Sequence, residues 1–447
     1  MKTRKLLLLA VPALLMSGLS ACAPKYDVKL VIYNWADYIY DGRDENGRAT
    51  QKSTVKLFEE YYKEKYDKIL KVQYRTFSTP EIMYGQIKNK RIKPDLICPS
   101  DYMIQKMANE GMLEKFSYDE TTKEYGDSLK NFADYGSPFI KERFASVALK
   151  DGNSFLTYSV PYFWGTMGFT YDPDYFTASE IGTWEALWSK ETRFQKQLSL
   201  KDSMRDSYVT AIFHVYKDEI AALDETDPEY NSKLTAIFNR HDETTLNLVE
   251  AALKEASRTT VNTFEVDEGK NEIVKGTYHA NLAWSGDAIY AMDSAEESGK
   301  KLNYALPVEG SNVWFDGWCM PKGAQKDIAE EFVNFVSSPE IAALNMDYVG
   351  YTSPIVGNEM WELVNDWYAA DEDETDTYEV DLTFFFGQVK DENGNLVDAT
   401  IEIPTSERGR QFDAQYPTEE ALKKCCMMED FGDDTEKVQE MWLRVKS

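Results

Sequence analysis

Tryptophan and aspartate stand close together at three separate places in the chain. The pairs are Trp35 and Asp37, Trp284 and Asp287, and Trp314 and Asp316. An aromatic ring offers a negatively polarised face and an apolar wall to a methylene chain, and an ionised aspartate accepts charge-assisted hydrogen bonds from an ammonium group. A single pair is as well explained by a core Trp beside an Asp in a turn. If the three pairs converge in space, we expect them to form a box for an organic cation.

The elements that must position the first pair alternate between strand and helix. Hydrophobic patterns and capping residues predict strands over 29–33, 70–74 and 95–98, and helices over 54–66 (capped by Ser53), over 80–88 and from Ser100 to Gly111. This order indicates an α/β unit with a mostly parallel sheet. Ligands bind outside the carboxyl ends of the strands in such sheets, and residues 34–38 and 99–102 lie at those ends.

A second α/β unit begins near Pro161 and carries the other two pairs. Its predicted strands cover 164–171, 198–200, 280–284, 302–306 and 314–320, and its predicted helices lie around 184–188, from about Ser203, and over 244–256, 287–298 and 328–336. Asp287 directly follows one of these strands. Because the chain has 447 residues, beyond the roughly 250 to 300 that one core usually serves, we expect two domains.

The N-terminus has the pattern of an export signal over residues 1–21. Three basic residues precede an apolar run over 6–16, which is shorter than the roughly 20 residues that span a bilayer. Residues 19–22 are similar to a bacterial lipobox, which predicts that Cys22 carries two acyl chains, enough for a stable anchor. We therefore expect the mature protein on the outer face of the cell membrane, in the periplasmic space if the cell is Gram-negative.

Composition argues against several other classes of protein. The net charge of −28 opposes binding to nucleic acid. The five cysteines lack the spacing of a disulfide scaffold or a zinc site, and Cys98 and Cys319 are predicted core residues. None of the three histidines stands beside a Ser or Cys nucleophile. We expect no metal, no cofactor and no enzymatic activity.

Three polar segments are predicted additions to the surface, without chemistry of their own. They cover 41–51, 218–241 and 371–404. The last contains Asn393 followed by Gly394 between alternating apolar and polar residues, a pattern that predicts a β-hairpin.

From residue 30 to about 354 the chain resembles the extracytoplasmic spermidine/putrescine-binding proteins of polyamine ABC importers. The motifs that carry the resemblance cover 32–39, 95–100, 160–165, 284–287, 314–316 and 350–354. The resemblance implies a type II periplasmic-binding-protein fold, in which two α/β lobes close by a hinge on a ligand cleft. Lobe 1 would comprise 22–165 and 315–360, and lobe 2 would comprise 166–314 and 361–447. It also implies a monomer that binds a polyamine and delivers it to importer permease subunits.

The resemblance implies five ligand contacts on the side of lobe 1. Trp35 and Tyr38 would flank the ligand, and Asp37 matches the acidic position of putrescine-type members. Ser100 and Tyr102 would line the cleft.

The resemblance also implies contacts from the second unit. Asp206 falls where the family has a glutamate that contacts a ligand amine, and Trp284 and Asp287 match an aromatic and acidic pair that is clearest in putrescine binders. Ser203 stands where spermidine-type members carry a further aspartate. The missing acid favours a diamine over spermidine.

Three more positions would form the centre of the cleft. Trp314 matches the central aromatic wall, Asp316 matches the principal ammonium acceptor, and Tyr351 matches an aromatic of the second wall.

Aromatic platforms with paired acids also suit sugars, so two alternatives stay open. One is a lipid-anchored carbohydrate-binding protein. The other is a lipid-anchored glycoside hydrolase, whose two carboxylates would stand about 5 to 9.5 Å apart across one glycosidic bond. In the fold implied by the resemblance, the acids are instead spread over both lobes.

Overall fold

The computed structural model describes residues 26–43, 47–49, 51–145, 147, 149–391 and 393–447. The predicted export signal and Cys22 lie outside the described residues. Within those ranges, no helix has both the length and the apolar character needed to cross a membrane.

The strands confirm the alternating pattern predicted from the sequence. In chain order they are β1 Val28–Asn34, β2 Leu70–Thr76, β3 Leu96–Ile97, β4 Leu113–Glu114, β5 Tyr118–Asp119, β6 Glu124–Tyr125, β7 Val160–Tyr171, β8 Leu198–Lys201, β9 Val261–Glu265, β10 Ala280–Trp284, β11 Asn303–Ala305, β12 Ser311–Trp318, β13 Met320–Pro321, β14 Thr377–Asp381, β15 Gln388–Lys390, β16 Leu396–Asp398, β17 Thr400–Pro404 and β18 Cys425–Cys426.

The helices that the sequence predicted are present to within a few residues at their ends, and the structure contains others that were not predicted. In chain order the helices are α1 Thr54–Tyr66, α2 Pro80–Lys88, α3 Asp101–Asn109, α4 Lys130–Tyr135, α5 Pro138–Ala145, α6 Ala178–Ile181, α7 Asp206–Val215, α8 Lys217–Ala221, α9 Tyr230–Phe238, α10 Glu243–Arg258, α11 Gly269–Lys275, α12 Ser285–Glu297, α13 Lys326–Val336, α14 Pro339–Val349, α15 Asn358–Tyr368, α16 Thr383–Phe386, α17 Gln411–Gln415, α18 Glu419–Lys423 and α19 Thr435–Val445. The predicted cap of α1 is present, because the side chain of Ser53 accepts a hydrogen bond from Lys56 N.

Two predicted elements differ from the structure. The segment Trp184–Trp188 is a 3₁₀ helix. The single strand predicted over 314–320 is two strands, β12 and β13, because the second pairs with β4 and not with β7.

Two sheets carry the site. The first is parallel, with the strand order β2, β1, β3. The second is mixed, with the order β18, β12, β7, β10, β8, β9, and β11 also pairs with β7. Strand β7 has 12 residues, all buried, and is antiparallel to both β12 and β10.

The apolar side chains form two large cores, and β7 passes from one to the other. Trp164 belongs to the first core, and Met167 belongs to the second. Many buried side chains between Leu382 and Met427 pack in the first core, whereas those from Val438 onward pack in the second. The division into two lobes stays a prediction. These contacts favour a passage of the chain from one lobe to the other near residue 165. They also place much of 361–427, which was predicted to belong to lobe 2, beside the first core.

The segment 371–404 contains two nested antiparallel pairs. β14 pairs with β17, and β15 pairs with β16 inside them. Gly394 lies in the turn with a φ of 80°, so the predicted hairpin is confirmed. Cys98 and Cys319 are buried and free, as expected of core residues.

Candidate functional site

Asp316 lies where the two sheets meet. It belongs to β12, and its backbone forms an antiparallel bridge with Ser100, which follows β3. The phenol of Tyr38 donates a hydrogen bond of 2.8 Å to Oδ2 of Asp316. Burial raises the pKa of Asp316 to about 6, against the lowering effect of the nearby Ser100 and Tyr38 hydroxyls. The other oxygen, Oδ1, is buried and has no hydrogen-bond partner among the described residues.

Aromatic rings surround this carboxylate. The ring of Tyr351 lies 5.7 Å from that of Tyr38 and 5.4 Å from that of Trp314, measured between centroids. Phe163 packs edge-on against Tyr38 at 5.2 Å. These rings give the carboxylate apolar walls that could enclose a methylene chain.

Two glycines allow the aromatic rings to approach the backbone. A Cβ atom at Gly286, in α12, would lie 1.4 Å from Cδ1 of Tyr351. A Cβ atom at Gly165, in β7, would lie 2.8 Å from Cζ2 of Trp314. The backbone at these two places therefore forms part of the wall, and only glycine fits there.

Asp287 is buried in the first turn of α12, and its charge is compensated by protein groups. Its Oδ1 accepts hydrogen bonds from Lys270 Nζ at 3.0 Å and from the Tyr351 hydroxyl at 3.2 Å. Its Oδ2 lies 3.4 Å from Lys201 Nζ. The sequence indicated Asp287 as a ligand contact but did not indicate these two lysines.

Trp284 and Asp206 contact each other. The indole N–H of Trp284 donates to Oδ1 of Asp206 at 3.2 Å. Lys201 Nζ lies 4.0 Å from the centroid of the Trp284 ring. Asp206 begins α7, and its backbone N–H donates to the hydroxyl of Ser203.

Tyr102 is covered by the protein. The guanidinium carbon of Arg205 lies 3.8 Å from the centroid of the Tyr102 ring. The Tyr102 hydroxyl donates to Glu81 at 2.9 Å. One face of this predicted lining residue is thus occupied by a protein cation.

The first tryptophan and aspartate pair lies apart from the other two. The ring of Trp35 packs against Phe77 with centroids 4.8 Å apart. Asp37 is exposed and adopts a φ of 52°. The structure therefore links six of the predicted residues through direct contacts: Tyr38, Ser100, Asp287, Trp314, Asp316 and Tyr351. Trp284 and Asp206 contact each other and join this group through Lys201, and Trp35, Asp37 and Tyr102 lie outside it.

Four charged residues of the site were missed by sequence reasoning: Asp101, Lys201, Arg205 and Lys270. Asp101 is buried, and its burial raises its pKa to about 8. The available signal for Lys201 was a lysine at the end of an apolar strand, and Arg205 and Asp101 directly adjoin predicted residues. No group of metal-binding side chains that could hold an ion is present in the part of the chain that the structure describes.

Comparison with known proteins gives the class to which this fold and site belong. Residues 56–372 match the family model of bacterial extracellular solute-binding proteins. This match covers most of the chain, so the protein belongs to that family. Its members bind solutes for transport, and the family is not one of enzymes.

Individual relatives confirm the resemblance predicted from the motifs. The chain is 28% identical over 352 residues to the spermidine/putrescine-binding periplasmic protein of Salmonella typhimurium, covering 78% of this chain and 83% of the relative. It is 23% identical over 350 residues to the putrescine-binding periplasmic protein PotF of Escherichia coli, covering 74% of this chain and 81% of the relative.

The fold is that of the periplasmic binding proteins, as predicted. A crystal structure of the spermidine/putrescine ABC transporter substrate-binding protein PotD from Streptococcus pneumoniae matches with a TM-score of 0.59 and 25% identity. The match covers 94% of this chain and 98% of that one.

Proposed function

We propose that the protein captures a polyamine outside the cytoplasm and delivers it to an ABC importer without chemical change. The observation that carries this proposal is the buried Asp316 carboxylate. One of its oxygens is held by Tyr38, and the other has no hydrogen-bond partner within the described residues. A buried acceptor of this kind is costly unless a donor completes it. A ligand ammonium supplies both the donor and the opposite charge.

The surrounding rings suit the rest of such a ligand. A diamine is a flexible chain with a charge at each end, so it needs acceptors at two separated points and an apolar slot between them. Trp314, Tyr351 and Tyr38 would form the slot with little loss of side-chain entropy. In the described contacts, the carboxylate of Asp206 accepts only from the indole N–H of Trp284. Asp206 would therefore be the second acceptor.

The remaining predicted contacts are part of the same proposal. Ser100 lies beside Asp316, whereas Trp35 and Asp37 would meet the ligand from the exposed end of the cleft. Tyr102 would border the cleft beneath Arg205. The names of the similar proteins support a polyamine ligand. The serine at position 203, in place of the aspartate of spermidine-type members, favours a diamine over spermidine.

The two lobes would open and close about β7 and β12. An empty cleft with several buried acids is unfavourable, because each carboxylate loses water and repels the others. Ligand therefore favours closure to the extent that it binds the closed form more tightly. We also propose that the protein acts as a monomer, tethered by acylated Cys22 to the outer face of the membrane and received there by permease subunits.

The test uses the soluble chain that lacks residues 1–22. Thermal unfolding is followed with putrescine, spermidine, cadaverine and a panel of sugars. A ligand present at one hundred times its Kd should stabilise the protein by about 2.7 kcal/mol. Asp316→Asn, which keeps the shape and removes the charge, should abolish most of the shift in Tm.

Asp293→Asn is the matched control, because Asp293 lies on α12 and bonds to Gln411, away from the Asp316 carboxylate. This variant should keep the full ligand-induced shift in Tm. An unchanged melting curve with every amine, together with a shift for a sugar, would overturn the proposal in favour of a carbohydrate-binding protein.

A further inference from the structure

We infer that Lys201 is an internal cation that occupies the Trp284 and Asp287 end of the cleft, and so limits the number of ammonium groups the ligand can carry there. This inference rests on the proposed function, because it concerns which amines the same cleft selects. It assigns to Lys201 a role in specificity that the resemblance to polyamine-binding proteins did not indicate.

The ammonium of Lys201 already holds the contacts that a ligand amine would need. Its side chain is 1% exposed. Nζ donates to the backbone oxygen of Val266 at 2.7 Å, lies 3.4 Å from Oδ2 of Asp287, and lies 4.0 Å from the centroid of the Trp284 ring. A carbonyl, a carboxylate and an aromatic face together are the partners that a bound ammonium prefers.

The backbone fixes Lys201 in this position. It is the last residue of β8, and it pairs with Glu265 of β9 in register. Its carbonyl accepts a hydrogen bond of 2.6 Å from the Ser207 hydroxyl in α7. Both β9 and α7 therefore hold the backbone of Lys201. If its ammonium left this position, Asp287 would stay buried with one neighbouring cation fewer.

Asp287 has little capacity left for a ligand. Its Oδ1 accepts from Lys270 and Tyr351, and its Oδ2 faces Lys201. Glu265 is the other acid beside Lys201; its Oε2 accepts from the backbone N–H of Gly269, and its buried Oε1 has no hydrogen-bond partner among the described residues. A further ammonium at this end would meet two fixed cations at close range, and like charges in a buried site repel strongly.

Of the buried acids that the sequence predicted as ligand contacts, Asp316 and Asp206 keep acceptor oxygens that no protein cation contacts in the described residues, and these two match a ligand with two ammonium groups. A triamine would direct its third ammonium toward Lys201. The lysine thus discriminates against longer amines by repulsion, the kind of element that specificity commonly requires in addition to attractive contacts. Ser203, which stands where spermidine-type members carry a further aspartate, acts in the same direction.

The test compares Lys201→Ala with the unmodified chain by isothermal titration with putrescine and with spermidine. Removing the lysine opens Oδ2 of Asp287 and one face of Trp284 to a third ammonium. The affinity for spermidine relative to putrescine should rise about tenfold or more, the effect of one charge-assisted hydrogen bond. Lys201→Met, which removes the charge but keeps the bulk, should move the ratio in the same direction and provides the test if the Ala variant does not melt cooperatively.

Lys254→Met is the control. It also removes a lysine charge, but Lys254 pairs with Glu250 on α10 and not with Asp287. The ratio should change by less than about threefold in this variant, within the range of a partly exposed ion pair. An unchanged ratio in both Lys201 variants, or an equal change in the Lys254 variant, overturns the inference. If the unmodified chain binds neither amine, the proposed function itself has failed.

Discussion

The hydroxyl of Tyr38 donates to Oδ2 of Asp316 across 2.8 Å, although 278 residues separate them in the chain. Tyr38 follows β1 of the parallel sheet, and Asp316 lies in β12 of the mixed sheet. The hydrogen bond fixes the carboxylate and leaves its second oxygen, Oδ1, buried without a partner among the described residues. The acceptor is thus oriented before a ligand arrives, which reduces the cost of binding.

Tyr38→Phe removes this bond and should weaken diamine binding about tenfold, since a hydrogen bond to a charged group contributes roughly 1.5 to 3 kcal/mol. Isothermal titration at pH 8 measures the loss while keeping Asp316 ionised. Tyr162→Phe is the control, because the Tyr162 hydroxyl donates to the backbone oxygen of Tyr38 and not to the carboxylate. Equal losses in both variants would show that ring packing, and not the bond to Asp316, sets the affinity.

Binding should depend on pH through Asp316. Burial raises its pKa to about 6 in the unliganded protein, and an ammonium binds the ionised form. Affinity should therefore fall as the pH falls through about 6, by roughly tenfold for each further pH unit. Polyamine amines stay protonated in this range, as lysine does. Titrations from pH 5 to pH 8 measure the effect, and Asp316→Asn should remove the step near pH 6.

The stability of the unliganded protein should show the opposite dependence. Because the pKa of Asp316 is raised above that of the unfolded chain, the folded state holds the proton more tightly between about pH 4 and pH 6. Ionisation of this group therefore destabilises the empty protein as the pH rises through about 6. The Tm difference between Asp316→Asn and the unmodified chain should grow over that interval. A difference that stays constant from pH 4 to pH 6 would contradict the raised pKa.

Local patterns explain how much of this architecture the sequence could predict. The amphipathic run after Ser53 predicted α1 with the bounds that the structure shows, because capping and periodicity are local properties. The strand ends at Asn34 and Ile97 brought Tyr38 and Ser100 to the same edge, as parallel strands require. The two-residue strand β18 was missed, because so short a segment has no periodicity.

The pairing within the site could not be predicted in the same way. Lys201 and Asp287 are 86 residues apart, and their contact depends on how β8 and α12 pack after the chain has folded. The sequence identified the acid and the ring of Trp284 as components of a cation site. It could not show that a lysine of the same chain occupies them.

Gly286→Ala should disrupt the proposed cleft by a steric clash. This effect should exceed that of reduced backbone flexibility in the helix. The new methyl group would lie 1.4 Å from Cδ1 of Tyr351, so the ring must leave the position in which it contacts Trp314 and Asp287. We expect a loss of diamine affinity of at least about tenfold, because displacing a positioned wall removes the slot. Gly85→Ala is the matched helical control: nothing lies within 4 Å of its Cβ position.

Gly85→Ala should leave affinity unchanged and raise stability by roughly 0.4 to 1 kcal/mol, since alanine restricts the unfolded chain. Chemical denaturation and titration of both variants provide the comparison. Unaltered binding in Gly286→Ala would show that Tyr351 is not part of the ligand wall.

Arg205 should help to hold the proposed lobes together. Its guanidinium carbon lies 3.8 Å from the ring centroid of Tyr102, in α3 beside the first core, and 4.6 Å from that of Phe431, in the second core. A desolvated contact between a cation and a ring contributes on the order of 2 kcal/mol. Arg205→Met should therefore shift the free protein toward the open form, with a larger radius of gyration by small-angle scattering and diamine binding weakened about tenfold.

The control for this variant is Arg193→Met. The Arg193 guanidinium also lies over two rings, 5.6 Å from Phe176 and 5.4 Å from Phe194, but both rings belong to the second core. Losing this contact within one core should lower the Tm and leave the scattering profile and the affinity unchanged. If Arg205→Met behaves in the same way as Arg193→Met, its contact with Tyr102 stabilises the fold without setting the balance between open and closed forms.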